Sequence, residues 1–211
     1  LNAIKFQVDP FSILGNNPKP GWKIFLVIPA LIDYKAVLIF NSLVSALAVF
    51  FTFKLLKEYK LNFAFFGALL LAVQPLYFDL SFRAYSEIFT ALLVVIFLIL
   101  YKREKFVLSG LLIGYVLTIR QELIVFAFVL FVVFAYNKRI IPAISIAVFP
   151  LIYSILGMMK TGDPLFVITE MKAVAGLQYN SQGVFHYFKV YIFIVGPITL
   201  LLFLQGFFGF L

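Results

Sequence analysis

Long apolar runs alternate with short polar clusters from one end of this chain to the other. An α-helix rises about 1.5 Å per residue, so roughly 20 apolar residues cross the hydrocarbon core of a bilayer. The pattern predicts spans over residues 36–56, 61–78, 84–101, 106–119, 122–137, 140–158 and 189–210. A shorter run, 22–32, carries Pro29 and cannot cross alone, so it reads as an interfacial or re-entrant helix. Residues 165–177 place apolar side chains at near-helical spacing and read as a short amphipathic helix lying on the membrane. The predicted fold is all-α, a polytopic membrane helix bundle of about seven transmembrane helices with short interfacial helices in its outer loops. No internal repeat or low-complexity linker divides it, so residues 1–211 read as one transmembrane domain.

Composition sharpens this. The chain is 64% hydrophobic and 12% charged, against about 25% charged in a soluble domain. It has no cysteine, which excludes disulfides and thiolate metal sites. Net charge is +8, but the placement of Lys and Arg matters more than their sum. They cluster at Lys54, Lys57 and Lys60, at Lys102, Arg103 and Lys105, and at Lys138 and Arg139. The positive-inside rule makes all three connections cytoplasmic. Alternation then holds only if 106–119 and 122–137 form a hairpin with its outer tip at Ile119-Arg120-Gln121-Glu122. A single helix there would be about 48 Å long, too long for the bilayer. The outer segments are 1–35, 79–87, 119–122 and 159–188. They hold most of the acidic residues, with Arg83, Arg120 and the only histidine, His186. A site on this integral membrane protein is therefore expected on the extracytoplasmic or lumenal face of a plasma or ER membrane. The chain starts at Leu1 and ends within an apolar run, which leads us to expect a piece of a longer protein.

Asp79, Arg83 and Glu87 stand four residues apart, which puts them on one helical face. They can be structural ion pairs, or they can line an outer cavity that holds a phosphate, a sugar or a metal. Arg120 and Glu122 occupy the hairpin tip, whose arms of about 21–23 Å leave them below the membrane surface. A guanidinium at that depth suits a lipid phosphate, which it grips in a bidentate fork, and snorkelling to the interface is the plainer alternative. Asp9 lies in the turn-rich stretch "KFQVDPFSILGNNPKPGWKIF", where it is either a general base at the membrane surface or an ordinary loop residue. Gly162-Asp163-Pro164 is a turn signature. Beyond it Tyr179, Asn180, Gln182, His186 and Tyr187 supply groups of the kind that hold sugars. There is no P-loop, no GxGxxG and no HExxH. The basic residues interleaved with aromatics sit at membrane ends, which argues against nucleic acid.

Four stretches, read in order, resemble the GT-C class of membrane glycosyltransferases, near the polyprenyl- or dolichyl-phosphate-mannose-dependent protein mannosyltransferases. They are Asp9 followed by "GNNPKPGWKIFLVIPAL", then "PLYFDLSFRAYSEIFTALL", "SGLLIGYVLTIRQELIVF" and "TGDPLFVITEMKA". The resemblance implies inverting transfer of a sugar from a polyprenyl-phosphate donor, with Asp9 as base. It implies that Arg120, or Arg83, neutralises the departing phosphate. Asp79, Glu87, Glu122, Asp163, Tyr179 and His186 would line the sugar and acceptor pocket. No cofactor is demanded; a divalent metal, where such an enzyme uses one, would fall to Asp9 and Glu87. The implied partners are the polyprenyl-phosphate sugar lipid, membrane lipids and other membrane proteins. Two rival readings are a non-catalytic subunit of a larger membrane complex and a lipid-linked-sugar transporter or flippase. The latter needs a polar path, for which span 36–53 offers only Asn41, Ser42, Ser45 and Thr52.

Overall fold

The computed structural model describes residues 5–6, 8–14, 19–178 and 197–208, and the expected pocket residues Tyr179 and His186 lie outside them. Among the described residues there are helices and no strand. A 3-10 turn at Pro10–Ile13 precedes α1 (Pro20–Ile32), α2 (Tyr34–Glu58), α3 (Ala64–Val73), α4 (Pro75–Ser81) and α5 (Ser86–Lys102). Then follow α6 (Phe106–Leu117), a 3-10 turn at Gln121–Leu123, α7 (Ile124–Tyr136), α8 (Ile140–Ser145), α9 (Val148–Thr161), α10 (Phe166–Gln178) and α11 (Pro197–Phe208). The short apolar helix after Lys19 and the helix after Asp163 form as the periodicity predicts.

The expected count of seven spans is not reproduced. By length and apolarity two helices can cross a membrane, Tyr34–Glu58 and Ile140–Thr161, or three if α3 and α4 count as one span bent by 66°. Helices α5, α6 and α7 have 17, 12 and 13 residues. The apolar runs are longer than the helices because turns of apolar residues interrupt them. Exposed apolar side chains such as Ile39, Phe65, Val125 and Ile141 fit a surface solvated by lipid rather than water.

The break at α3–α4 follows from Pro75, which cannot donate to the preceding turn, while the Gln74 side chain caps the new helix at the Tyr77 amide. A second break follows where α4 ends at Ser81; in hydrocarbon the carbonyls freed there need internal partners, and α2 supplies them. Asn41, fully buried, donates its amide to the carbonyls of Leu80 (3.0 Å) and Arg83. The Ser42 hydroxyl lies within reach of Ser81 O at 3.1 Å. Tyr77 Oη donates to Ser45 O at 2.8 Å, and the Ser45 and Ser81 hydroxyls meet at 2.7 Å. Thr52 bonds its own helix at Ala48 O. These four polar residues therefore close a broken helix or their own, and the polar path required of a transporter does not form from them. The interruption between α4 and α5 corrects the expectation for Asp79, Arg83 and Glu87. The chain leaves the helix at Phe82–Tyr85, so Glu87 does not share a helical face with the other two.

The core has two main apolar clusters. Trp22, Val44, Ile88, Phe89 and Val116 join α1, α2, α5 and α6, and Phe97, Ile113, Leu130, Phe134 and Ile146 join α5 to α8. Helix α8 packs against both α6 and α7, and the two arms of the expected hairpin touch each other little. The α8–α9 break comes so near α6 that a Cβ on Gly114 would overlap Ile146 O, and one on Gly110 would overlap Ser145 Oγ. Small residues at this spacing allow such close backbone approach.

At one end of the bundle α2, α5 and α7 stop in the same way. Lys60, Glu104 and Lys138 take φ of 57°, 58° and 58°. The next amide in each case reaches back five residues, from Leu61 to Leu56 O, Lys105 to Leu100 O and Arg139 to Phe134 O. This is the Schellman cap with a charged residue in the glycine position. Arg103 pairs with Glu58, Lys102 lies over Tyr59 at 3.6 Å, and Arg139 lies over Phe106 at 3.5 Å. These contacts hold the three Lys- and Arg-rich turns together.

Candidate functional site

The opposite end of α6 is set by the Pro20-Gly21-Trp22 turn. Gly21 N–H donates to Thr118 O at 3.2 Å, and Tyr115 Oη donates to Gly21 O at 2.6 Å. A Cβ on Gly21 would overlap Thr118 Oγ1, so only glycine fits. Trp22 is buried against Phe40 and Phe89, with ring centroids 6.0 and 5.1 Å away. This docking delivers Lys19 to the residues that follow α6.

There Arg120, half-buried, emerges from the buried Thr118-Ile119 pair. Its Nη1 meets Glu87 Oε1 at 2.5 Å, and its Nε stands 3.5 Å from Glu122 Oε2. Glu87 comes from the first turn of α5, where the helix dipole favours a carboxylate. Beneath the pair, Glu87 Oε2, Ser86 Oγ and Thr90 Oγ1 are buried without a hydrogen-bond partner among the described residues. Such orphans are costly in a finished core. Burial pushes the Lys19 ammonium down; Glu87 opposes this, Arg120 adds to it and Glu122 opposes it. Burial likewise pushes Lys23 down to about 8, with Glu170 opposing and Lys160 and Lys19 adding. The cluster thus mixes three cations with two carboxylates in a partly dehydrated setting.

Asp9 is exposed and caps the first 3-10 turn, its Oδ1 accepting from Phe11 N at 2.9 Å. Its segment is fastened to α9: Lys160 Nζ donates to Phe11 O at 2.9 Å, and Leu14 packs with Tyr153 and Phe166. Lys160 also acts on Lys23, so the Asp9 segment and the Arg120 cluster share one end of the molecule. Asp79 and Arg83 pair with each other at 2.9 Å, about half exposed, and among the described residues no ion pair joins them to Glu87 or Arg120. Asp163 caps α10, accepting from Leu165 N at 2.8 Å and Thr169 Oγ1 at 2.7 Å. One oxygen is thus engaged by its own loop and the other by the first turn of α10. Among the described residues no three potential metal ligands gather, and the described contacts do not join Asp9 to Glu87.

Sequence reasoning missed Lys19, Lys23, Ser86 and Thr90. Two lysines one helical turn apart, flanking Pro20-Gly21-Trp22 on an expected outer segment, are the signal that was legible. Below the Arg120 turn an apolar groove of about 370 Å³ runs between α7 and the α8–α9 break, lined by Leu117, Ile124, Phe128, Phe131, Ile144 and Pro150.

Comparison with curated proteins and with solved structures finds no match. A protein-family model, Glycosyltransferase family 87, matches residues 19–204. The matched stretch takes in the whole charged cluster around Arg120 and nearly all of the bundle, and on that extent the chain belongs to glycosyltransferase family 87.

Proposed function

We propose that this glycosyltransferase takes its sugar from a polyprenyl-phosphate donor and delivers it, with inversion, to an acceptor hydroxyl at the end of the bundle that carries Arg120. The observation that carries the reading is the pairing of a half-buried guanidinium with an apolar groove that starts three to four residues away, at Leu117 and Ile124. A lipid phosphate needs a cation at its head and a hydrocarbon slot for its chain, in that order. Membership of a glycosyltransferase family supplies the sugar.

In this reading Arg120 and Lys19 hold the donor phosphate, and the Glu87 and Glu122 carboxylates beside Arg120 meet sugar hydroxyls. Asp9 takes the proton of the acceptor hydroxyl. The acceptor oxygen forms a bond to the anomeric carbon as the bond from that carbon to the phosphate oxygen breaks. The electron pair leaves on the phosphate, where fixed cations stabilise it. Mannose is the sugar the sequence resemblance favours, and Arg83 is the reserve phosphate ligand.

The test is transfer from polyprenyl-phosphate mannose by the purified protein. Asp9→Asn keeps an acceptor for the Phe11 amide and therefore the cap, yet should lower transfer by at least about 100-fold. Arg120→Gln should lower it by a similar factor, because one oxyanion-stabilising donor is worth about 100-fold or more. Full activity in both variants would remove the proposed machinery and return the charges to a structural role.

A further inference from the structure

We infer that the turn joining α7 to α8 holds the headgroup of an anionic phospholipid. This site lies at the Lys- and Arg-rich end of the bundle, away from the Arg120 cluster. A cavity of about 470 Å³ is lined there by Glu104, Phe106, Val107, Lys138, Arg139 and Ile140, among others. Its rim is cationic and its floor apolar, with Val107, Ile140 and Ile141 exposed. That is the profile of a headgroup with the first carbons of its chains.

The neighbouring turns make the contrast. Arg103 is engaged by Glu58, and Lys102 donates to Glu58 O while covering Tyr59. No carboxylate reaches Lys138 or Arg139 among the described residues. Instead Arg139 lies flat on Phe106 at 3.5 Å, which fixes the guanidinium plane and leaves its edge for a phosphate. Lys138 is held in the left-handed region at φ 58° by its Schellman cap, so its exposed side chain is presented by a rigid turn. Glu104 is the acid on the rim, outnumbered by Lys138, Arg139 and the adjacent Lys105. Basic pockets between membrane helices select anionic headgroups by this charge balance.

The full chain, purified in detergent, is titrated with phosphatidylglycerol or phosphatidylcholine, with retained lipid read by native mass spectrometry. Phosphatidylglycerol should be retained in preference. The double variant Lys138→Gln/Arg139→Gln should weaken that retention by about 30-fold, taking the usual contribution of a basic residue at an anionic surface twice. The double variant Lys54→Gln/Lys57→Gln should retain it unchanged. Equal loss in both double variants, or wild-type retention in the first, overturns the site. So does displacement of the lipid by equimolar glycerol phosphate, which would mark a free-anion site. Glu104→Gln leaves both cations in place and should tighten retention; unchanged or weaker retention in that variant also overturns the proposal.

Discussion

Lys23 stands one helical turn from Lys19, half-buried, with Lys160 and Glu170 acting on it from α9 and α10. Its ammonium is pushed down to about 8 because burial strips its water. Between that value and the ordinary lysine range the unfolded chain binds the proton and the folded one does not. Stability therefore rises with pH across the window, while a positive charge one turn from Lys19 is lost. We expect the donor KM to climb as pH passes about 8 while the thermal midpoint does not fall. Lys23→Arg, which stays charged, should flatten the profile; a wild-type KM constant to pH 9.5 would show that this charge does not serve the donor. Arg120 was legible in the sequence as a guanidinium at a turn between two short apolar runs. Its bond to Glu87 was not, because the spacing of Asp79, Arg83 and Glu87 reads as one continuous helix face. The interruption at Phe82–Tyr85 has no proline or glycine to announce it.

That interruption is an event between elements. Asn41, on α2, bonds carbonyls at the far end of the bent α3–α4 unit, some forty residues later in the chain. Asn41→Leu would leave the Arg83 carbonyl without its donor and the Leu80 carbonyl with the Arg83 amide alone, at about 1–3 kcal/mol for an unsatisfied buried group. A lowered midpoint of thermal unfolding in detergent is expected, and an unchanged or higher midpoint would show that the bent unit does not depend on α2. The long helix α2 was legible from its run alone. Breaks were harder, since Pro75 marks one but the groups that make a break tolerable come from another helix. Helix α8 is the same kind of case. Its place between α6 and α7 depends on Gly110 and Gly114, and a simple hairpin reading of 106–137 contains no hint of the third helix.

Across the whole molecule the polar groups divide between two ends. One has three matched basic turns, and the other has the Arg120 cluster with the Asp9 segment fastened beside it. We propose, from the positive-inside rule, that the first faces the cytoplasm. The chain has no cysteine, so single cysteines report topology without background. Met159→Cys should react with a membrane-impermeant maleimide on sealed cells, and Tyr136→Cys only after permeabilisation. The reverse pattern would invert the orientation. The proposed seating of a lipid phosphate at Arg120, with its chain in the groove beside α7, is tested most directly by photo-cross-linking with a polyprenyl phosphate that carries a benzophenone near the head. The label should fall on residues between Leu117 and Phe131 and disappear in Arg120→Gln. Label concentrated on α2 or α3, or undiminished in that variant, would contradict the account.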